Sequence, residues 1–183
     1  MILNIKLLET SFNQIKPDAI KFSASFYHKL FTYHPELEPL FAQTTLAAQE
    51  KKLIASLALI VENLHNPQEL ANALKSLGAY HREIGTLPEH YPQIGQALIE
   101  TFAEYLDRDW NQTVEQAWLE AYSLISEIML AGAEDPNTYL GGELTFYDWL
   151  DLYGESSPRV KEMVANTTHF EYRNSQAAHR FSE

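Results

Sequence analysis

The chain contains no cysteine. That absence removes disulfides, thiolate metal sites, iron–sulfur clusters, cysteine nucleophiles and thioether-linked pigments together. It fits a reducing compartment, and a cytoplasmic location is the expectation. Basic residues are scarce: 13 Lys and Arg stand against 25 Asp and Glu, a formal net charge of -12. No basic patch is available to grip a phosphate backbone, and an anionic membrane surface would repel the chain. Long apolar runs are also missing. No segment approaches the ~20 residues of a membrane span. Met1 to Leu8 carries one lysine and an apolar stretch too short for a signal peptide. Neither nucleic acid nor a membrane is therefore an expected partner. GxGxxG, Walker, HExxH, GxSxG and EF-hand patterns are all absent. The acid pairs Glu134-Asp135 and Asp148/Asp151 have no nearby partner in sequence and read as solvated charges.

What is present is helical periodicity. The 183 residues are 45% hydrophobic, enough for one domain with a buried core. Strand-like alternation is hard to find before about residue 132. Lys16-Pro17-Asp18 places a proline at a helix start. His34-Pro35-Glu36 and Glu38-Pro39 break the next helix into a corner. Asn66-Pro67-Gln68-Glu69 reads as a capping box, and Thr113-Val114-Glu115-Gln116 repeats that pattern. Gly85, Pro88 and Pro92 mark another corner. The expected helices are 4–15, 18–34, 36–41, 47–64, 67–82, 90–106 and 113–131. After Asp135-Pro136-Asn137 and Gly141-Gly142, residues 144–153 and 158–166 read as two short helices in an extension. Phe146, Trp149, Leu150 and Tyr153 would share one face of the first, an apolar face that suits docking on the domain or a homodimer contact.

Three helices each interrupt an apolar stripe with one polar residue. Leu70, Leu74 and Leu77 lead to His81 at steps of four, three and four, so His81 continues a buried face. Gln49 precedes Leu53, Leu57 and Val61. Tyr27 sits among Ile20, Ala24 and Phe31. Singly, each has a structural explanation: a core histidine or tyrosine needs only one hydrogen-bond partner, and an early-turn glutamine can cap. Together, one imidazole facing a Tyr and a Gln inside an apolar helical core is harder to explain as ordinary packing, and such an imidazole can ligate haem iron while distal donors hold a bound diatomic ligand. His28, His34, His65, His90, His169 and His179 fall at helix ends, on polar faces or in the extension, and read as surface residues.

Six blocks, in order, resemble the bacterial single-domain globins and the globin portion of flavohaemoglobins over residues 5–132. They are Phe26-Tyr27-His28-Lys29-Leu30-Phe31, His34-Pro35-Glu36-Leu37-Glu38-Pro39-Leu40-Phe41, Gln49-Glu50-Lys51-Lys52-Leu53, Leu77-Gly78-Ala79-Tyr80-His81, His90-Tyr91-Pro92-Gln93-Ile94-Gly95 and Ala117-Trp118-Leu119-Glu120-Ala121-Tyr122. The resemblance implies an all-α, three-over-three globin sandwich over residues 1–133, with 134–183 as a C-terminal extension. It implies haem b bound between the helices of Gln49 and His81, with His81 as the iron ligand and Phe41 stacked on the porphyrin. Tyr27 and Gln49 match a distal pair that steadies bound ligand. Leu53 would lie over the ligand and Lys52 beside a propionate. Leu77, Ile84, Tyr91, Ile94 and Tyr122 would complete the haem contacts. Flavohaemoglobins set a Tyr and a Glu near the proximal histidine. Tyr91 matches the Tyr; Ala133 stands where the Glu falls, with Glu134 one residue late.

The function these features imply is reversible binding of O2, NO or CO, in oxygen transport or in nitric-oxide dioxygenation fed by a separate reductase. No segment after residue 133 has a flavin- or nicotinamide-binding pattern. Two alternatives stand beside it: a haem-based gas sensor that signals through the extension, and a globin holding a different tetrapyrrole non-covalently.

Overall fold

The computed structural model describes residues 3–42 and 44–140. Helix α1 spans Ile5–Ile15 and begins where Asn4 Oδ1 accepts the Leu7 N–H at 3.2 Å. A 3-10 turn through Pro17 leads into α2, Ala19–Tyr33. The corner Pro35–Phe41 is a 3-10 helix rather than a turn of α-helix. Pro39, which cannot donate a backbone hydrogen bond, lies inside it. Then follow α3 (Leu46–Glu62), α4 (Pro67–Glu83), α5 (His90–Leu106), α6 (Gln112–Glu134) and the short α7 (Pro136–Leu140). Among the described residues there is no strand and no helix long and apolar enough to cross a membrane. The two short helices expected within 144–166 lie outside the described residues.

Both expected capping boxes are modified. Asn66 is the N-cap of α4 and Pro67 opens the helix, but the Asn66 side chain makes no capping bond. For α6 the cap is Asn111, two residues before Thr113. Asn111 Oδ1 accepts both the Thr113 and Val114 N–H groups, at 3.0 and 3.2 Å, so the threonine hydroxyl is not needed.

Helices α1, α3 and α4 stack on α2, α5 and α6, three over three. Phe102 and Trp118 stack with centroids 3.9 Å apart, and Phe22 tilts onto Phe102 at 4.9 Å. The Trp118 indole N–H donates to Ser11 Oγ at 3.0 Å, so this buried polar pair satisfies itself while tying α6 to α1. Helix α2 buries Ala19, Phe22, Phe26 and Leu30; Ile20, Ala24 and Phe31 are only partly covered. The expected stripe on α2 is therefore one flank of a wider apolar face.

The most extensive helix contact is α4 on α6. Gly78 lies against the Met129 backbone, and Gly132 against the Lys75 backbone. A Cβ at either position would overlap main-chain atoms, so the helices meet backbone to backbone. Gly78→Ala or Gly132→Ala should lower stability by about 1–3 kcal/mol, the usual cost of overpacking. Urea unfolding of each variant measures it, and an unchanged midpoint would mean the helices separate freely.

Candidate functional site

Helix α4 carries Leu70, Leu74 and Leu77 into the core and brings His81 to the wall of a cavity. Past His81 the helix ends at once. Thr86 N–H bonds the His81 carbonyl at 2.8 Å, and Gly85 takes φ +92°, a left-handed conformation that glycine adopts without strain. His81 Nδ1 lies 2.8 Å from the Leu77 carbonyl. A carbonyl only accepts, so Nδ1 is the protonated nitrogen and Nε2 holds the lone pair. Burial pushes the imidazole pKa below its ordinary value, against the smaller opposing pull of the Leu77 carbonyl. The neutral, metal-ligating form is thereby favoured.

The cavity, about 200 Å³, lies between α3 and α4 and is closed behind by α5 and α6. Nine of the eleven residues singled out in the sequence line it: Tyr27, Phe41, Gln49, Lys52, Leu53, Leu77, His81, Ile94 and Tyr122. Two do not. Ile84 caps α4 and is 42% exposed. Tyr91 is buried at the start of α5 and lines a separate groove between α5 and α6. The back wall also includes Leu98, Ile99, Ile125 and Met129, which the sequence does not single out. Their signal is the apolar stripe of α5 and α6, which reads equally well as ordinary core.

Tyr27 is buried, and its hydroxyl donates to the Gln49 backbone carbonyl at 3.3 Å. Its ring packs on Phe41 and Phe31, with centroids 5.5 and 5.8 Å away. Gln49 sits in the first turn of α3, positioned by the cap in which Thr45 Oγ1 accepts the Ala48 N–H. Phe41 and Gln49 also border an outer cavity of about 540 Å³ at the Pro35–Phe41 corner. On the other side, the Tyr122 hydroxyl donates to the Tyr91 carbonyl at 2.6 Å. Burial raises the pKa of both phenols, that of Tyr91 to about 12. Ala133 presents its carbonyl to Arg82 Nη1 at 2.7 Å, and Glu134 is exposed.

The other described histidines line neither cavity. His34 pairs with Glu36, His65 with Glu9, His90 Nδ1 accepts the Leu87 N–H, and His28 is exposed. Among the described residues no three His, Asp or Glu side chains converge as a metal-binding cluster. A metal at His81 would therefore need most of its donors from a ligand that arrives with it.

Among the described residues, His81 is the one imidazole that lines the cavity of this helical sandwich. The family model described as Globin matches residues 24–129, and the chain belongs to the globin family. It is similar to the flavohemoprotein of Rhizobium meliloti (strain 1021), 32% identical over 111 residues, covering 60% of this chain and 27% of that protein. It is similar also to an uncharacterized globin-like protein of Aquifex aeolicus, 26% identical, with 69% of this chain and 88% of that protein covered. The chain spans about a third or less of the flavohemoproteins it matches. Among solved structures, it resembles an engineered carbene transferase described as a candidate nitric oxide dioxygenase of Rhodothermus marinus. The TM-score is 0.65 at 25% identity, over 75% of this chain and 96% of that one. A bacterial globin of Campylobacter jejuni shares the fold, with TM-score 0.64 at 19% identity over 73% and 96% of the two chains.

Tyr122→Phe should cost about 0.5–1.5 kcal/mol, because it removes the hydrogen bond that joins α6 to the start of α5. Chemical denaturation of the variant checks this; no change in midpoint would mean that the Tyr91 carbonyl finds another donor.

Proposed function

We propose that this chain is a haem b globin that reversibly binds oxygen or another diatomic gas, and dioxygenates nitric oxide when a separate reductase supplies electrons. One observation carries the reading: an imidazole with its Nδ1–H fixed on the Leu77 carbonyl presents a lone-pair nitrogen to an otherwise largely apolar cavity. The residues fit a porphyrin. A single imidazole is the right donor where a macrocycle brings the rest. The inner cavity alone falls below the usual ~300–1,000 Å³ of ligand sites. Through Phe41 and Gln49 it borders the outer one, and together they enter that range.

Haem would supply a gas-binding, redox-active iron. His81 would hold it from α4. Phe41 would pack on the ring, Lys52 would lie beside a propionate, and Leu53 and Leu57 would keep water out. Tyr27 has one proton to give. Its 3.3 Å bond to the Gln49 carbonyl is long enough to yield to a more negative acceptor. The Gln49 amide, at the join of the two cavities, offers a second donor. Partial negative charge on a diatomic ligand would be stabilised by both.

The flavohemoprotein relatives favour this reading, as does the candidate nitric oxide dioxygenase among the solved structures. The Tyr91 and Glu pair of the flavohaemoglobin pattern is incomplete, so weak proximal basicity is the expectation. Residues 1–133 are taken as the globin domain and 134–183 as an extension, working in the cytoplasm. One observation favours a sensing role as a second reading: α7, the start of that extension, packs on α4, the helix that bears His81.

His81→Ala should lose haem or hold it loosely. Pyridine haemochrome assay of the purified variant tests this, and full haem content with an unchanged ferrous spectrum would defeat the assignment. Tyr27→Phe and Gln49→Leu should each speed oxygen release, with a loss of about 1.5–3 kcal/mol per charge-assisted bond. Carbon monoxide, less polarised, should respond less. Stopped-flow off-rates that change equally for the two gases would point instead to access.

A further inference from the structure

Helices α5 and α6 leave an open groove of about 650 Å³ between them. Ile99, Leu119 and Leu130 give it an apolar lining, and Leu119 remains 45% exposed. From Glu115 to Leu130 the groove follows α6 for fifteen residues, about 22 Å at the helical rise, enough for about four turns of a second helix. Glu100, Glu115 and Glu127 also line it, and among the described residues no lysine, arginine or histidine does. Glu100 accepts from Gln96 Nε2 at 2.9 Å and Glu127 from Ser123 Oγ at 3.2 Å. Both donors are neutral, so the negative charge is not cancelled.

We propose that the α5/α6 groove docks a basic amphipathic helix of a partner protein. Leucine-type anchors seat on Ile99, Leu119 and Leu130, and flanking lysines or arginines meet the three glutamates. A second copy of this chain is a poor occupant. A symmetric contact would set the same glutamates against each other, on molecules that each carry a net charge of -12. The chain's own aromatic segment 144–153 is also mismatched, since it holds Asp148 and Asp151 and no basic residue. The proposal does not depend on what the His81 cavity binds.

The test is fluorescence anisotropy with the full chain and a labelled 18-residue helical peptide, leucine on one face and lysine on the other. A matched peptide with glutamate for lysine is the control. The lysine peptide should bind and the glutamate peptide should not. The double variant Glu100→Lys/Glu127→Lys should weaken binding at least about tenfold, and Leu119→Ser should weaken it several-fold. Glu69→Lys/Glu83→Lys makes the same charge change on exposed positions of α4 and should leave binding within about twofold. Equal losses from the two double variants would mean attraction to net charge alone and would overturn the proposal. So would equal binding of both peptides or of neither. A concentration-dependent dimer in light scattering, abolished by Leu119→Ser, would give the groove to a second copy instead.

Discussion

The site depends on one constraint: α4 and α6 touch backbone to backbone. Gly78 and Gly132 are the two positions where each helix admits the other's main chain. They stand one turn apart in role, Gly78 three residues before His81 and Gly132 three residues after Met129, which lines the same cavity as His81. Packed interiors are close to incompressible, so a side chain at either glycine would move α4 as a body. The imidazole, the Leu77 carbonyl that orients it and the Gly85 turn that ends the helix would then shift together against α3.

From that fixed edge the chemistry follows with few parts. A backbone carbonyl one turn upstream selects the His81 tautomer without any acidic side chain. Burial lowers the pKa of the ring and so favours its neutral form. The opposite wall is built by α2 and α3, and its polar groups enter from separate elements: Tyr27 from the middle of α2, Gln49 from the first turn of α3. They meet where the Tyr27 hydroxyl donates to the Gln49 carbonyl, so the distal donors are arranged by helix packing rather than by a loop. What differs from the flavohaemoglobin pattern lies on the His81 side. The Ala133 carbonyl there takes an arginine, and Glu134 faces solvent.

Much of this was legible in the sequence because its signals are local. Prolines and asparagines punctuate the helices, and heavy residues recur at steps of three and four, so helix positions and the inward directions of His81, Gln49 and Tyr27 could be read directly. Non-local features were not readable in the same way. Spacing on α2 points to Ile20, Ala24 and Phe31, whereas the deepest face is Phe22, Phe26 and Leu30, because α2 serves the cavity on one flank and α5 on the other. Ile84 falls at the exposed C-cap of α4 and Tyr91 turns toward the α5/α6 groove, so neither reaches the cavity, and spacing along the chain does not show this. The closeness of Gly78 and Gly132 needs knowledge of which helices pair. Asn111 outcompeted Thr113 as a cap through its two short backbone contacts, a choice that spacing alone leaves open.

The central claim is that His81 Nε2 holds the iron of a bound haem. The most direct measurement is the low-frequency resonance Raman spectrum of the ferrous, ligand-free protein, prepared with natural and with nitrogen-15 histidine. The account predicts an iron–nitrogen stretching band that moves to lower frequency with the heavier isotope. A haem spectrum in which no band responds to histidine labelling would contradict it.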